Sequence, residues 1–176
     1  DKEISRVLKT AIYQKGPVHL NIPLEEPLYG MTSKAIPLSE CTNEVTVFDD
    51  FNEQLKSIKD QWHNTSKKWV IIGVMSPNTI TQKQIDLLCE DPTVVVFTET
   101  TSNITHSKSI NSIDTLMAPL ELRETQINKT LQPEVLLTFG GMVVSKKIKF
   151  FLRNNPPKYH WHVDQKKAYN TYYKLD

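Results

Sequence analysis

Apolar residues recur every three to four positions over residues 4–15. Ile4, Val7, Leu8, Ala11 and Ile12 fall on one stripe, and Lys9, Gln14 and Lys15 fall off it. That spacing predicts an amphipathic helix. Gly16 can take the left-handed conformation that closes such a helix, and Pro17 forbids its continuation. Residues 18–22 then alternate as a strand does and stop at Pro23. Between Pro23 and Pro37 there are three prolines, one glycine and little periodicity, which reads as an extended linker.

A second pattern follows. Residues 45–48 are a short strand candidate, and Asp49 or Asp50 is a suitable helix cap before Phe51, Leu55, Ile58 and Trp62 at helical spacing. Residues 69–74, Trp-Val-Ile-Ile-Gly-Val, form a continuous apolar run, as expected of a strand buried on both faces. Thr79 and Gln82 have capping-box spacing for a helix carrying Ile85, Leu88 and Cys89. Residues 94–98 are a second buried strand, and 99–112, rich in Ser, Thr and Asn, read as a long surface loop. Helices are expected at 112–118 and 121–131 and a third buried strand at 135–139, broken by Gly140-Gly141. Val144, Ile148, Phe151 and Leu152 line one face of a helix that Pro156-Pro157 ends, and 159–163 is a fourth strand. Apolar strands alternating with amphipathic helices predict an α/β fold: a Rossmann-like three-layer sandwich with a mostly parallel sheet and right-handed crossovers.

The chain has 176 residues, with 21 Lys plus Arg against 20 Asp plus Glu, so no phosphate backbone is implied as a partner. Its longest apolar runs are too short to span a bilayer, and its first residues do not form a signal peptide. It begins as if cut from something longer. Two cysteines, Cys41 and Cys89, without a Cys-x-x-Cys pair, fit a reducing cytoplasm and argue against a disulfide framework or structural zinc. Asn-x-Ser/Thr at Asn64, Asn103 and Asn128 is then a chance match.

The block Gly16-Pro17-Val18-His19-Leu20-Asn21-Ile22-Pro23 resembles the end of the pyrimidine-binding domain in the thiamine-diphosphate enzyme superfamily. With the continuation Glu26-Pro27-Leu28-Tyr29 it looks like the branch that acts in menaquinone biosynthesis. Residues 70–74, Leu136 to Gly141 with Lys146-Lys147 after it, and Trp161-His162-Val163-Asp164 match the central domain of that family more loosely, in the right order. Family members often carry a second acidic residue where this chain has Gln165.

The resemblance implies residues 1–31 as the end of the pyrimidine-binding domain and the start of a linker, and 32–176 as a central Rossmann-like domain. It implies a full-length enzyme that decarboxylates 2-oxoglutarate on thiamine diphosphate, with Mg2+ anchoring the cofactor, and adds the succinyl carbanion equivalent to isochorismate. Its partners would be the flanking pyrimidine- and diphosphate-binding domains of the same polypeptide, within a homo-oligomer, dimer or tetramer. This stretch alone is expected to be inactive and to organise its neighbours. None of the five glycines is followed by Asp, so the Gly-Asp-Gly of the diphosphate site is missing, and no catalytic residue is assigned.

Three features bear on ligand binding. Gly140-Gly141 before a helix could cradle a phosphate on backbone N–H groups, with a tight turn as the plainer explanation. Asp164 at a strand end occupies the place of a Rossmann ribose ligand, against a turn-forming Asp. His160 and His162 share a strand face, but three or four metal ligands are needed and no third is evident, so no metal site is assigned. Lys146, Lys147 and Lys149 read as a solvated helix edge, and Trp62, Trp69 and Trp161 as core or domain-contact residues. Two alternatives stay open: the middle domain of an acetolactate-synthase or 2-oxoacid-decarboxylase relative, and a stand-alone Rossmann-like ligand-binding module.

Overall fold

The computed structural model describes residues 2–25, 30, 31, 33, 51–121, 125–164 and 167–176. The Glu26–Tyr29 block, most of the expected linker, the strand candidate at 45–48 and its capping aspartates lie outside the described residues. The chain divides into two units, Asp1–Asp49 and Asp50–Asp176.

The first unit contains helix α1 (Lys2–Gln14), as the periodicity predicts. None of its residues is buried, and the apolar stripe of Ile4, Leu8 and Ile12 is about half exposed or more. The left-handed turn that ends it falls on Lys15, with φ of 46°, and not on Gly16. Pro17 still blocks a further turn. The alternating run 18–22 is not a strand. A strand exists only against a hydrogen-bonded neighbour, and among the described residues no neighbour pairs with it.

The second unit is the predicted α/β sandwich. Strands β1 (Lys68–Ile72), β2 (Val94–Thr98), β3 (Val135–Phe139) and β4 (Tyr159–Val163) form one sheet in the order β2-β1-β3-β4, every pair parallel. Helix α2 (Phe51–His63) precedes β1, and α3 (Gln82–Glu90) joins β1 to β2. Helices α4 (Ile113–Glu121) and α5 (Thr125–Leu131) lead to β3, and α6 (Lys146–Asn154) joins β3 to β4.

Strand alternation sends Trp69, Ile71, Phe97 and Leu136 to one face, where they pack with Ile113 and Met117 of α4 and Ile148, Phe151 and Leu152 of α6. Val70, Ile72 and Val96 face the other way, onto Ile85 and Cys89 of α3. Helices on opposite faces are what right-handed crossovers require when the chain first moves from β1 to β2 and then back across to β3 and β4.

Four local expectations change. The capping box at the start of α3 is Thr81 with Gln84, two residues later than Thr79 and Gln82: Thr81 Oγ1 accepts the Gln84 N–H, and Gln84 Oε1 accepts the Thr81 N–H. Residues 99–112 are not simply a surface loop. Ser102 is buried and its hydroxyl donates to Ile72 O, and Ile110 pairs with β2 through its N–H to Val96 O. That pairing covers the outer edge of β2. Val144 lies before α6 and is exposed, so it takes no part in the helix's apolar face. Finally β1 starts one residue earlier than the apolar run, on the buried Lys68.

The other edge of the sheet is tied to the last residue. The His160 N–H donates to Asp176 Oδ2 at 2.7 Å, and the Asp176 N–H donates to His160 O at 3.0 Å.

Candidate functional site

In doubly wound sheets ligands sit at the carboxyl ends of the two central strands whose connections diverge, here β1 and β3. At that place the loops leaving the strands touch. A Cβ on Gly73 would stand 2.0 Å from Gly141 O, so position 73 excludes a side chain. The Gly73 N–H donates to Phe139 O and the Gly141 N–H to Val74 O, which continues the strand ladder past the strand ends. Gly140 supplies the reversal with φ of +79°, a conformation that favours glycine.

Helix α6 begins at Lys146, six residues after Gly140, and a side chain of this chain already meets its N-terminus. Glu99, at the end of β2, accepts the N–H groups of Val144 at 2.8 Å and Ser145 at 2.7 Å. A carboxylate is favourable there because the first N–H groups of a helix have no internal acceptor and the helix dipole is positive at that end. The Ser145 hydroxyl accepts from Ile148 N and donates to the Asp114 carboxylate. Sequence reading missed Glu99. Its one signal was an acidic residue directly following a buried strand.

Gly140, Gly141 and Asp164 all border a single groove of about 1100 Å³ on the α2–α3 side of the sheet. Asp164 follows β4, and its Oδ1 accepts the Lys167 N–H in a turn. The groove floor carries Leu137, Phe139, Trp161 and Val163, and its walls carry Ile58 and Trp62 of α2 and Ile80, Leu87 and Leu88 beside or on α3. Trp62 lies 6.4 Å from Trp161, ring centre to ring centre, and the Lys68 ammonium sits 5.0 Å over Trp62. Lys68 donates to Thr93 Oγ1. Thr93 in turn bonds Asp91 through hydroxyl and N–H, which holds the Asp91 carboxyl below its ordinary range. Trp69 is on the opposite face, stacked on Phe151.

His160 and His162 share the face opposite the groove, as their spacing predicts. Thr138 stands between them, its Oγ1 at 3.0 Å from His160 Nε2 and 2.9 Å from His162 Nδ1. Burial pushes the His160 imidazole down to about 4, with His162 adding to the shift and Asp176 opposing it. Burial lowers His162 also, against the pull of Asp164. Both are neutral at pH 7, and no group of three metal-ligating side chains occurs among the described residues. Lys149 on α6 donates to Val143 O, and Lys146 is exposed. Burial pushes the Cys89 thiol up, with Asp86 adding to it.

No family model matches the chain. Named relatives do. It is 44% identical over 184 residues to 2-succinyl-5-enolpyruvyl-6-hydroxy-3-cyclohexene-1-carboxylate synthase of Christiangramia forsetii, an alignment covering 100% of this chain. The enzymes of the same name from Flavobacterium johnsoniae and Flavobacterium psychrophilum are 43% and 40% identical, each over 99% of the chain. The chain is similar to these synthases from end to end. It spans 31% of the length of each. The similarity to the synthases thus takes in both units, including α1 and the Gly16–Pro23 block. No helix among the described residues is long and apolar enough to cross a membrane.

Proposed function

We propose that this chain is the middle stretch of a thiamine-diphosphate-dependent synthase of menaquinone biosynthesis, acting in the cytoplasm. The full-length protein would decarboxylate 2-oxoglutarate and add the resulting succinyl carbanion equivalent to isochorismate. The observation that carries this reading is the 44% identity across the whole chain to a synthase about three times as long. The shared name of the relatives favours this synthase over an acetolactate-synthase or 2-oxoacid-decarboxylase relative.

Within that protein, residues 1–31 would close the pyrimidine-binding domain, and 32–176 would be the central domain between it and the diphosphate-binding domain. The exposed stripe of α1 and the run 18–22, which is unpaired among the described residues, support this, because both have the pattern of buried elements and neither is buried among the described residues. The residues of the second unit do not fit thiamine diphosphate. The N–H groups of Val144 and Ser145 at the α6 N-terminus are taken by Glu99, and no Gly-Asp pair is present to start a metal site. The role read for this stretch is to fix the placement of its neighbours and of the subunits of a homo-oligomer.

The test uses the full-length protein with thiamine diphosphate and Mg2+, supplied with isochorismate and 2-oxoglutarate. Loss of both substrates together with release of CO2 is the expected result. If neither is consumed, the synthase reading fails.

A further inference from the structure

The two sides of β3 and β4 are covered unequally. On one side Leu136, Thr138 and His160 are buried, packed with α6 and Tyr172. On the other, Leu137, Phe139 and Trp161 are only half-buried and Val163 is 62% exposed. Leu87 of α3, on the wall of the same groove, is 64% exposed. Parallel strands are stable with helices over both faces. Here α3 serves that purpose for β1 and β2, and over β3 and β4 the described residues place only one edge of α2, whose Trp62 lies against Trp161.

We propose that this groove is the docking surface for an amphipathic helix supplied by the part of the same polypeptide outside this stretch. The inference rests on the synthase reading, which makes this chain one part of a longer protein. The chain spans 31% of its relatives' length, so about two-thirds of such a protein is available to provide the segment. The size agrees: two turns of helix, taken as a cylinder about 10 Å across, occupy on the order of 850 Å³, against about 1100 Å³ in the groove. Trp62 and Trp161 give a broad aromatic seat for an apolar stripe of i, i+3, i+4 residues. Lys59 on the α2 wall favours a carboxylate on that flank of the incoming helix, and Asp91 and Asp164 elsewhere on the lining favour a cation.

The experiment is cysteine footprinting of the full-length protein, read peptide by peptide with a maleimide. Leu87→Cys and Val163→Cys place thiols in the groove, and Lys83→Cys places one on the exposed side of α3. The groove thiols are expected to react at least about ten-fold more slowly than the Lys83→Cys thiol. Rates within about two-fold of each other would overturn the proposal. Protection that disappears on dilution would also overturn it, assigning the groove to a second copy of the chain. Protection that appears only on adding substrate would assign it to a small molecule instead. Hydrogen exchange of the unmodified protein over 135–139 and 159–163 gives the same discrimination without any substitution. Protected thiols in a protein that consumes no isochorismate would sink the synthase reading while leaving the docked segment in place.

Discussion

Glu99 and Ser145 are 46 positions apart, and the carboxylate of the first accepts the backbone N–H of the second at 2.7 Å. With the Val144 N–H, this makes Glu99 the anion at the start of α6. Glu99→Ala is expected to lower the unfolding free energy of this chain by about 2 kcal/mol, the range for charged hydrogen bonds at a helix start. Glu99→Gln should lose about half as much, since an amide oxygen can still accept one N–H. Urea unfolding monitored through Trp69 would test both values. A loss smaller for Ala than for Gln would remove Glu99 from this role.

The buried imidazole of His160 gives a pH dependence of known sign. Its pKa falls from 6.5 in the unfolded chain to about 4 in the fold, so the unfolded state binds more protons between those values. Stability from this group is fully present above pH 6.5, declines as pH falls toward 4, and is level below that. The loss over that window is up to about 3 kcal/mol for a group with no exposed surface. His160→Gln should flatten this part of the stability curve while lowering the plateau at pH 7. An unchanged slope between pH 6.5 and 4 would show that His160 is not its source.

The glycines at the strand ends should differ sharply in their tolerance of a methyl group. At Gly73 the added carbon meets a backbone oxygen at 2.0 Å, so Gly73→Ala is expected to cost roughly 3 kcal/mol or more. Gly140→Ala combines a positive φ with a 2.7 Å approach to Met75 Cγ, a flexible side chain, and should cost about 2 kcal/mol. At Gly141 the nearest atom is 3.3 Å away, and the change should stay under about 1 kcal/mol. Thermal melts of the three variants would give the order, and a Gly141 variant weaker than the Gly73 variant would contradict it.

The shift of the capping box can be checked directly. Thr81→Ala removes the acceptor for Gln84 N–H and should cost about 1 kcal/mol. Thr79→Ala loses only a bond to Ser76 O on an exposed turn and should stay within about 0.5 kcal/mol. Equal effects in denaturant titrations would return the helix start to Thr79.

The strands and the helix faces were legible because burial on both sides forces uninterrupted apolar runs, as in 94–98 and 135–139, and a single buried stripe forces the spacing of Ile148, Phe151 and Leu152. The features that were misread depend on partners far along the chain. Residues 18–22 have strand alternation, and alternation cannot supply the strand next door. The buried start of β1 at Lys68 works because Thr93, Trp62 and the Asp91 carboxylate converge on its ammonium. Thr79 and Thr81 both precede a helix with a suitable glutamine three residues on, so local sequence offered two equivalent starts. In the candidate site, Gly140, Gly141 and Asp164 were visible as turn residues, whereas the Glu99 contact with α6 required the fold.

The tie between Asp176 and His160 gives the second unit a mechanical character. Tension on the backbone at Asp176 enters the sheet through two hydrogen bonds to one residue of the edge strand. That residue is also the imidazole hydrogen-bonded to Thr138 on the neighbouring strand. A pull there would load β4 first and pass to β3 through the backbone ladder and the Thr138–His160 bond together, so displacement of Asp176 and loosening of the buried histidine are one event.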